Sequence, residues 1–104
     1  MIPTIGRIVH YKLSAADAAE VNRRRTTGPA IAERIAYGSW PLGAQAHIGN
    51  EAKEGDFHPM MMVQTWVDGH GVNGQVFLDG NDVLWVTSRV EGTEPGTFSW
   101  PVKV

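Results

Sequence analysis

The run Val72-Asn73-Gly74-Gln75-Val76-Phe77-Leu78, the turn Asp79-Gly80-Asn81-Asp82 and the run Val83-Leu84-Trp85-Val86-Thr87-Ser88-Arg89-Val90 decide the fold. Both runs are rich in β-branched and aromatic residues, and the polar Gly-Asn turn between them has the chemistry of a hairpin loop. A connection of two or four residues sets Leu84 beside Phe77, Val86 beside Gln75 and Ser88 beside Asn73. Val72, Gly74, Val76, Leu78, Val83, Trp85, Thr87 and Arg89 then share the opposite face. On that register the hairpin is expected at the centre of the sheet, with Val76, Leu78 and Val83 largely buried. Each face grades from apolar near the turn to polar at the far end. The gradient would set Asn73, Gln75 and Ser88, or Thr87 and Arg89, at the rim of a pocket. Ordinary solvent-facing sheet residues give the same gradient, and both readings stand.

Working outward, residues 4–13 read as a strand through Ile5, Ile8, Val9 and Tyr11. Ser14 is a good N-cap, with Asp17 and Glu20 suited to the positive end of a helix that runs to about Arg25 and stops at Gly28-Pro29. Residues 30–37 suit either a short helix or a strand. Residues 38–43 form a breaker-rich link, and 44–48 a short strand. A polar loop opens at Gly49-Asn50 and closes at Gly55-Asp56. Residues 60–67 form a strong strand, Asp68-Gly69-His70-Gly71 a turn, and 97–100 a last short strand stopped by Pro101. Closely spaced strands with Gly-rich turns predict one mainly β (α+β) domain. The expected architecture is a small, antiparallel, partly open SH3-like barrel with one inserted N-terminal helix.

The bulk numbers narrow the function. At 104 residues, with 42% hydrophobic and 19% charged side chains, the chain has material for one core and no room for a second. Cysteine is absent, which excludes disulfides and thiolate chemistry. No stretch is apolar enough to span a bilayer or to resemble a secretion signal, so a cytosolic protein with no membrane contact is expected. The net charge of -2 argues against general nucleic-acid binding. That charge is uneven: residues 1–34 carry six Arg/Lys against three acids, and residues 35–104 carry three against eight. A small anion is the better partner for the basic end.

Arg23-Arg24-Arg25 is the most distinctive charge feature. Successive helical residues point about 100° apart, so the three cannot face one ligand together. One or two could clamp a phosphate, or the run could simply complement the negative end of the helix. Arg7 is a separate candidate on the first strand. Trp40, Trp66, Trp85 and Trp100 offer packing mass and flat faces for a ring-bearing ligand. The histidines (His10, His47, His58 and His70) have no metal-ligand spacing, and turn chemistry accounts for Asp79 and Asp82. No cofactor motif, phosphate-cradling glycine loop or nucleophile–base signature is legible. Met60-Met61-Met62 alternates across its strand, filling core on one side and an interface on the other. With the tryptophans, that strand predicts a homo-oligomer.

Several segments together carry a resemblance: Gly6-Arg7-Ile8-Val9-His10-Tyr11, Asn22-Arg23-Arg24-Arg25, Gly49-Asn50, Val72-Asn73-Gly74-Gln75-Val76, Asp79-Gly80-Asn81-Asp82 and Phe98-Ser99-Trp100-Pro101. The chain resembles, over most of its length, a group of short proteins encoded by tailed bacteriophages and prophages. That family more often ends Trp-x-Trp-Pro, where this chain has Phe98. The resemblance implies a phage protein in the host cytoplasm and brings no catalytic or binding residue with it. It implies three roles. The first is an accessory binding protein, such as a sponge that sequesters a cyclic nucleotide immune signal without cleaving it. The second is a virion or assembly adaptor that binds another phage protein. The third is a protein-binding inhibitor of a host factor. For the sponge, the candidate ligand contacts are Arg7, Arg23, Arg24, Arg25, Trp66, Asn73, Gln75, Trp85, Thr87, Arg89 and Trp100, since guanidinium pairs with phosphate and bases stack on rings.

Overall fold

A computed structural model describes residues 2–25, 47–69 and 71–102. The helix end at Gly28-Pro29, segments 30–37 and 38–43, most of 44–48, and His70 within its turn lie outside the described residues. Strands β1 (Ile8–Lys12), β2 (Phe57–Thr65), β3 (Val72–Phe77), β4 (Val83–Arg89) and β5 (Phe98–Ser99) accompany one helix, α1 (Ala15–Arg24). They form one antiparallel sheet in the order β4-β3-β2-β1-β5. Beyond β4 the chain turns back onto β5. The Phe98 amide donates to the Val90 carbonyl (3.1 Å) and the Gly92 amide to the Phe98 carbonyl (2.9 Å), a parallel bridge that closes one corner. This is the expected small, partly open barrel, with α1 inserted between its first two strands.

The core is the inner face of that sheet plus one side of the helix. Val9, Tyr11, Met60, Met62, Val72, Val76, Leu84, Val86 and Phe98 pack with Leu13, Ala18, Val21, Ala52 and Leu78. Met60 and Met62 are fully buried and Met61 faces outward, as strand alternation requires.

The helix starts where the sequence says. The Ser14 hydroxyl accepts from the Asp17 amide and the Asp17 carboxylate accepts from the Ser14 amide, both at 3.0 Å, a complete capping box. Asn22, on the last turn, holds the helix to the following loop. Its side chain donates to the Ala52 carbonyl (2.8 Å) and accepts from the Ala52 amide (2.9 Å).

Three expectations about the hairpin are corrected. The closing pair is Phe77 with Val83, so the connection spans residues 78–82 and is odd-numbered. Gln75 therefore pairs with Trp85 and Val76 with Leu84, one step from the expected register. A one-residue slip turns every side chain of one strand to the other face. Leu84 and Val86 join Val72, Gly74 and Val76 inside, whereas Val83 is 41% and Trp85 61% exposed. The hairpin is also not central: among the described residues β4 is an edge strand and β2 lies in the middle. A bulge then restores the expected pairing at the open end, where Arg89 meets Val72. The extra residue is Ser88, whose φ of 55° is the left-handed turn that a bulge uses, and its amide donates to Asn73 Oδ1 (2.9 Å).

The register has a direct test. Val76→Asp and Leu84→Asp each bury an unpaired carboxylate and should cost several kcal/mol in urea unfolding. Thr87→Asp, on the exposed face, should stay within about 0.5 kcal/mol of the parent. Equal destabilisation by Leu84→Asp and Thr87→Asp would contradict the pairing.

Candidate functional site

The sequence candidates separate into four places. Arg23, Arg24 and Arg25 end α1 and diverge as the helical rotation requires. Arg23 points to solvent and takes Glu20 in a two-point ion pair one turn back, at 3.0 and 2.7 Å. That contact lowers the pKa of Glu20 and raises that of Arg23. Arg24 and Arg25 turn inward to Asp82, whose side chain is only 3% exposed. Arg25 Nη1 lies 3.1 Å from Asp82 Oδ1, and Arg24 Nη2 lies 3.6 Å from Oδ2 while donating to the Val83 carbonyl (3.2 Å). His47 Nδ1 stands 3.7 Å from the same carboxylate. Gly49 and Gly80 pair directly beneath, and a Cβ on either would overlap the Arg25 guanidinium. Two glycines thus make room for a buried cation, and the cation holds the hairpin turn to the helix.

A second group lies on the outer face, where Gln75 and Trp85 are paired neighbours and Thr87 is exposed beyond them. Asn73 is occupied at the bulge by the Ser88 amide. A third pairs Arg7 with Trp100, the guanidinium 5.4 Å from the ring centroid. The Trp100 indole nitrogen donates to Glu91 Oε1 (2.9 Å), and its ring meets Phe98 edge-on at 6.0 Å.

The fourth place is a cleft of about 260 Å³ at one end of the barrel, and it brings Trp66 and Arg89 together. Trp66, Val67 and Gly69 come from the β2–β3 turn and Arg89, Val90 and Glu91 from the end of β4. Val72, Phe98 and the arm residues Ile2 and Pro3 also line it. The bulge at Ser88 directs Arg89 here while Thr87 stays outside. Arg89 Nη2 stands 3.6 Å from Asp17 Oδ1, and the guanidinium lies 5.8 Å from the Tyr11 ring centroid. Its Nε is buried and has no hydrogen-bond partner among the described residues.

Asp17 links this cleft to the helix cap. Besides closing the capping box, it accepts a 2.5 Å hydrogen bond from the Tyr11 hydroxyl. Burial, then the bond to the carboxylate, raises the Tyr11 pKa well above the ordinary 10.0. Asp17 and Asp82 are the residues the sequence reading undervalued, one assigned to the helix dipole and one to a turn. The Ser14-x-x-Asp17 spacing could have exposed the first. Nothing local in Asp79-Gly80-Asn81-Asp82 exposes the second.

Two predictions follow from this wiring. Asp82→Ala strands Arg25 and Arg24 and should cost about 3–5 kcal/mol of stability by chemical denaturation, whereas Arg23→Ala should leave the midpoint unchanged. For Tyr11, the folded state holds its proton in the range where the unfolded chain releases it. Its contribution is therefore complete below pH 10.0 and is lost as pH rises above that. Melting curves from pH 8 to 11 should show a steeper alkaline fall in the parent than in Tyr11→Phe; parallel falls would contradict the buried phenol.

Among the described residues no helix is long and apolar enough to cross a membrane. Comparison with protein-family models, with curated proteins and with solved structures finds no match.

Proposed function

We propose that this chain is a binding protein that captures a small anionic ligand bearing a planar ring, of the nucleotide class, in the barrel-end cleft. The observation that carries the reading is the meeting there of an indole and a guanidinium whose side chain is partly exposed and whose Nε has no hydrogen-bond partner among the described residues. Trp66, 45% exposed, offers a face for a base, and Arg89 offers charge-assisted hydrogen bonds to a phosphate. Asp17 stands near enough to orient the guanidinium and, at 3.6 Å, too far to saturate it. Buried Val72 and Phe98 give the cleft an apolar side, edged by the exposed Val67 and Val90. The cleft is slightly smaller than the ~300–1,000 Å³ usual for small-molecule sites, so it takes one ring with its nearest anionic group and leaves the rest outside.

In the setting that the phage resemblance suggests, such a protein is a counter-defence sponge, which needs capture and no bond cleavage. The arginine run is a poorer phosphate site than it looked in sequence: Glu20 holds Arg23 at two points, Arg24 is shared between Asp82 and the Val83 carbonyl, and the Arg25 side chain is buried against Asp82.

Titration calorimetry with a panel of cyclic di- and trinucleotides and cyclic ADP-ribose species tests the reading. One ligand should bind well below 10 µM and be recovered intact after denaturation. Arg89→Ala and Trp66→Ala should each weaken it about 10- to 100-fold, from contacts worth about 1.5–3 and 1–3 kcal/mol. The Arg89 share should shrink as salt rises and the Trp66 share should persist. Absence of any binder below about 10 µM would overturn capture and leave the adaptor role.

A further inference from the structure

The corrected register leaves an apolar surface on the outside of the sheet. Ile8, Met61, Gln75 and Trp85 lie in register across β1, β2, β3 and β4. Beside them His10 pairs with Pro59, and Phe77 with Val83. None of these residues is Asp, Glu, Lys or Arg. Charges stand at its borders, where Lys12 Nζ lies 5.6 Å from the Phe57 ring centroid and Arg24 donates to the Val83 carbonyl. Taking about 150–250 Å² for each full side chain, the exposed fractions of Trp85, Phe57, Phe77, Val83 and Ile8 leave on the order of 500 Å² of apolar surface open. A patch of that size lies toward the upper end of what a monomer leaves exposed, where such patches are often functional.

We propose that this face is a homodimer interface, covered by the same face of a second copy of the chain. Size supports it. Two such faces together bury about 1,000 Å² of apolar surface, the size a specific interface must clear, before the exposed His10 and Pro59 beside them are counted. Charge supports it independently. A two-fold contact lays a patch on itself, so any net charge within it meets its own sign. The chain as a whole is acidic at -2, and this neutral face lets two copies approach without a like-charge pair. Its make-up follows the anatomy of a dimer centre, with Trp85 and Phe77 as aromatic anchors and Met61 as an adaptable filler. The cleft opens at the end of the barrel, so pairing through the sheet face leaves it accessible.

Sedimentation equilibrium on the full chain, with Trp85→Glu, Phe77→Glu and Val102→Glu variants, tests the proposal. The parent should sediment at twice the chain mass at about 100 µM. Trp85→Glu and Phe77→Glu should each weaken association at least about 30-fold, the loss of one aromatic hot spot, with far-UV circular dichroism unchanged. Two glutamates for separate anchors guard against one variant failing to fold. Val102→Glu, an exposed change outside the face, should dimerise like the parent. A monomeric parent at 100 µM would overturn the proposal and hand the face to a different protein. A parent dimer untouched by either glutamate would overturn it as well. Nucleotide binding by the Trp85→Glu monomer keeps this outcome separate from the cleft reading.

Discussion

A buried aspartate cannot stay charged in an apolar interior without a partner, and in this chain Asp82 finds two on the end of the helix. That pairing constrains the rest of the structure. It ties α1 to the far end of the β3–β4 hairpin across a sequence separation no local rule bridges. Because Arg25 must sit above Gly49 and Gly80, the connecting segment 78–82 cannot collapse into the two- or four-residue turn its composition suggests. The turn stays odd-numbered, and the parity of the turn decides which way every side chain of β4 points.

Both surfaces that matter for function descend from that parity. With Leu84 and Val86 inside, Val83 and Trp85 must face out and complete an apolar outer face with Ile8, Met61 and Phe77. With the ladder in that phase, Arg89 would also face outward. The extra residue at Ser88 reverses it and delivers the guanidinium to the barrel end beside Trp66. Asp17 waits there, already fixed by the helix cap and the Tyr11 hydroxyl. One turn and one bulge therefore separate an aromatic docking surface from a charged cleft on a single edge strand.

Much of the fold was legible because it is written locally. Ser14 and Asp17 announce the helix start, Met60 and Met62 the buried side of β2, and the paired β-branched runs the hairpin. The barrel class follows from strand spacing. What escaped is non-local. The register depended on Asp82 meeting Arg24 and Arg25, and neither partner carries a local sign of the other. Asp17 read as a dipole complement, since its links to Tyr11 and Arg89 form only when three elements converge. Of the candidate site, Trp66 and Arg89 were named as separate possibilities, and only tertiary folding joins them. Arg24 and Arg25 were chosen for charge, which sequence displays, while Asp82, the acid that engages both, is a matter of space.

The register of β3 against β4 is the claim on which both surfaces rest, and nuclear Overhauser contacts between backbone protons measure it directly. The account predicts cross-strand contacts pairing Gln75 with Trp85 and Val76 with Leu84, and pairing Val72 with Arg89 beyond the Ser88 bulge. Contacts that instead pair Gln75 with Val86 and Phe77 with Leu84 would contradict it, turning Trp85 inward and dissolving the outer face.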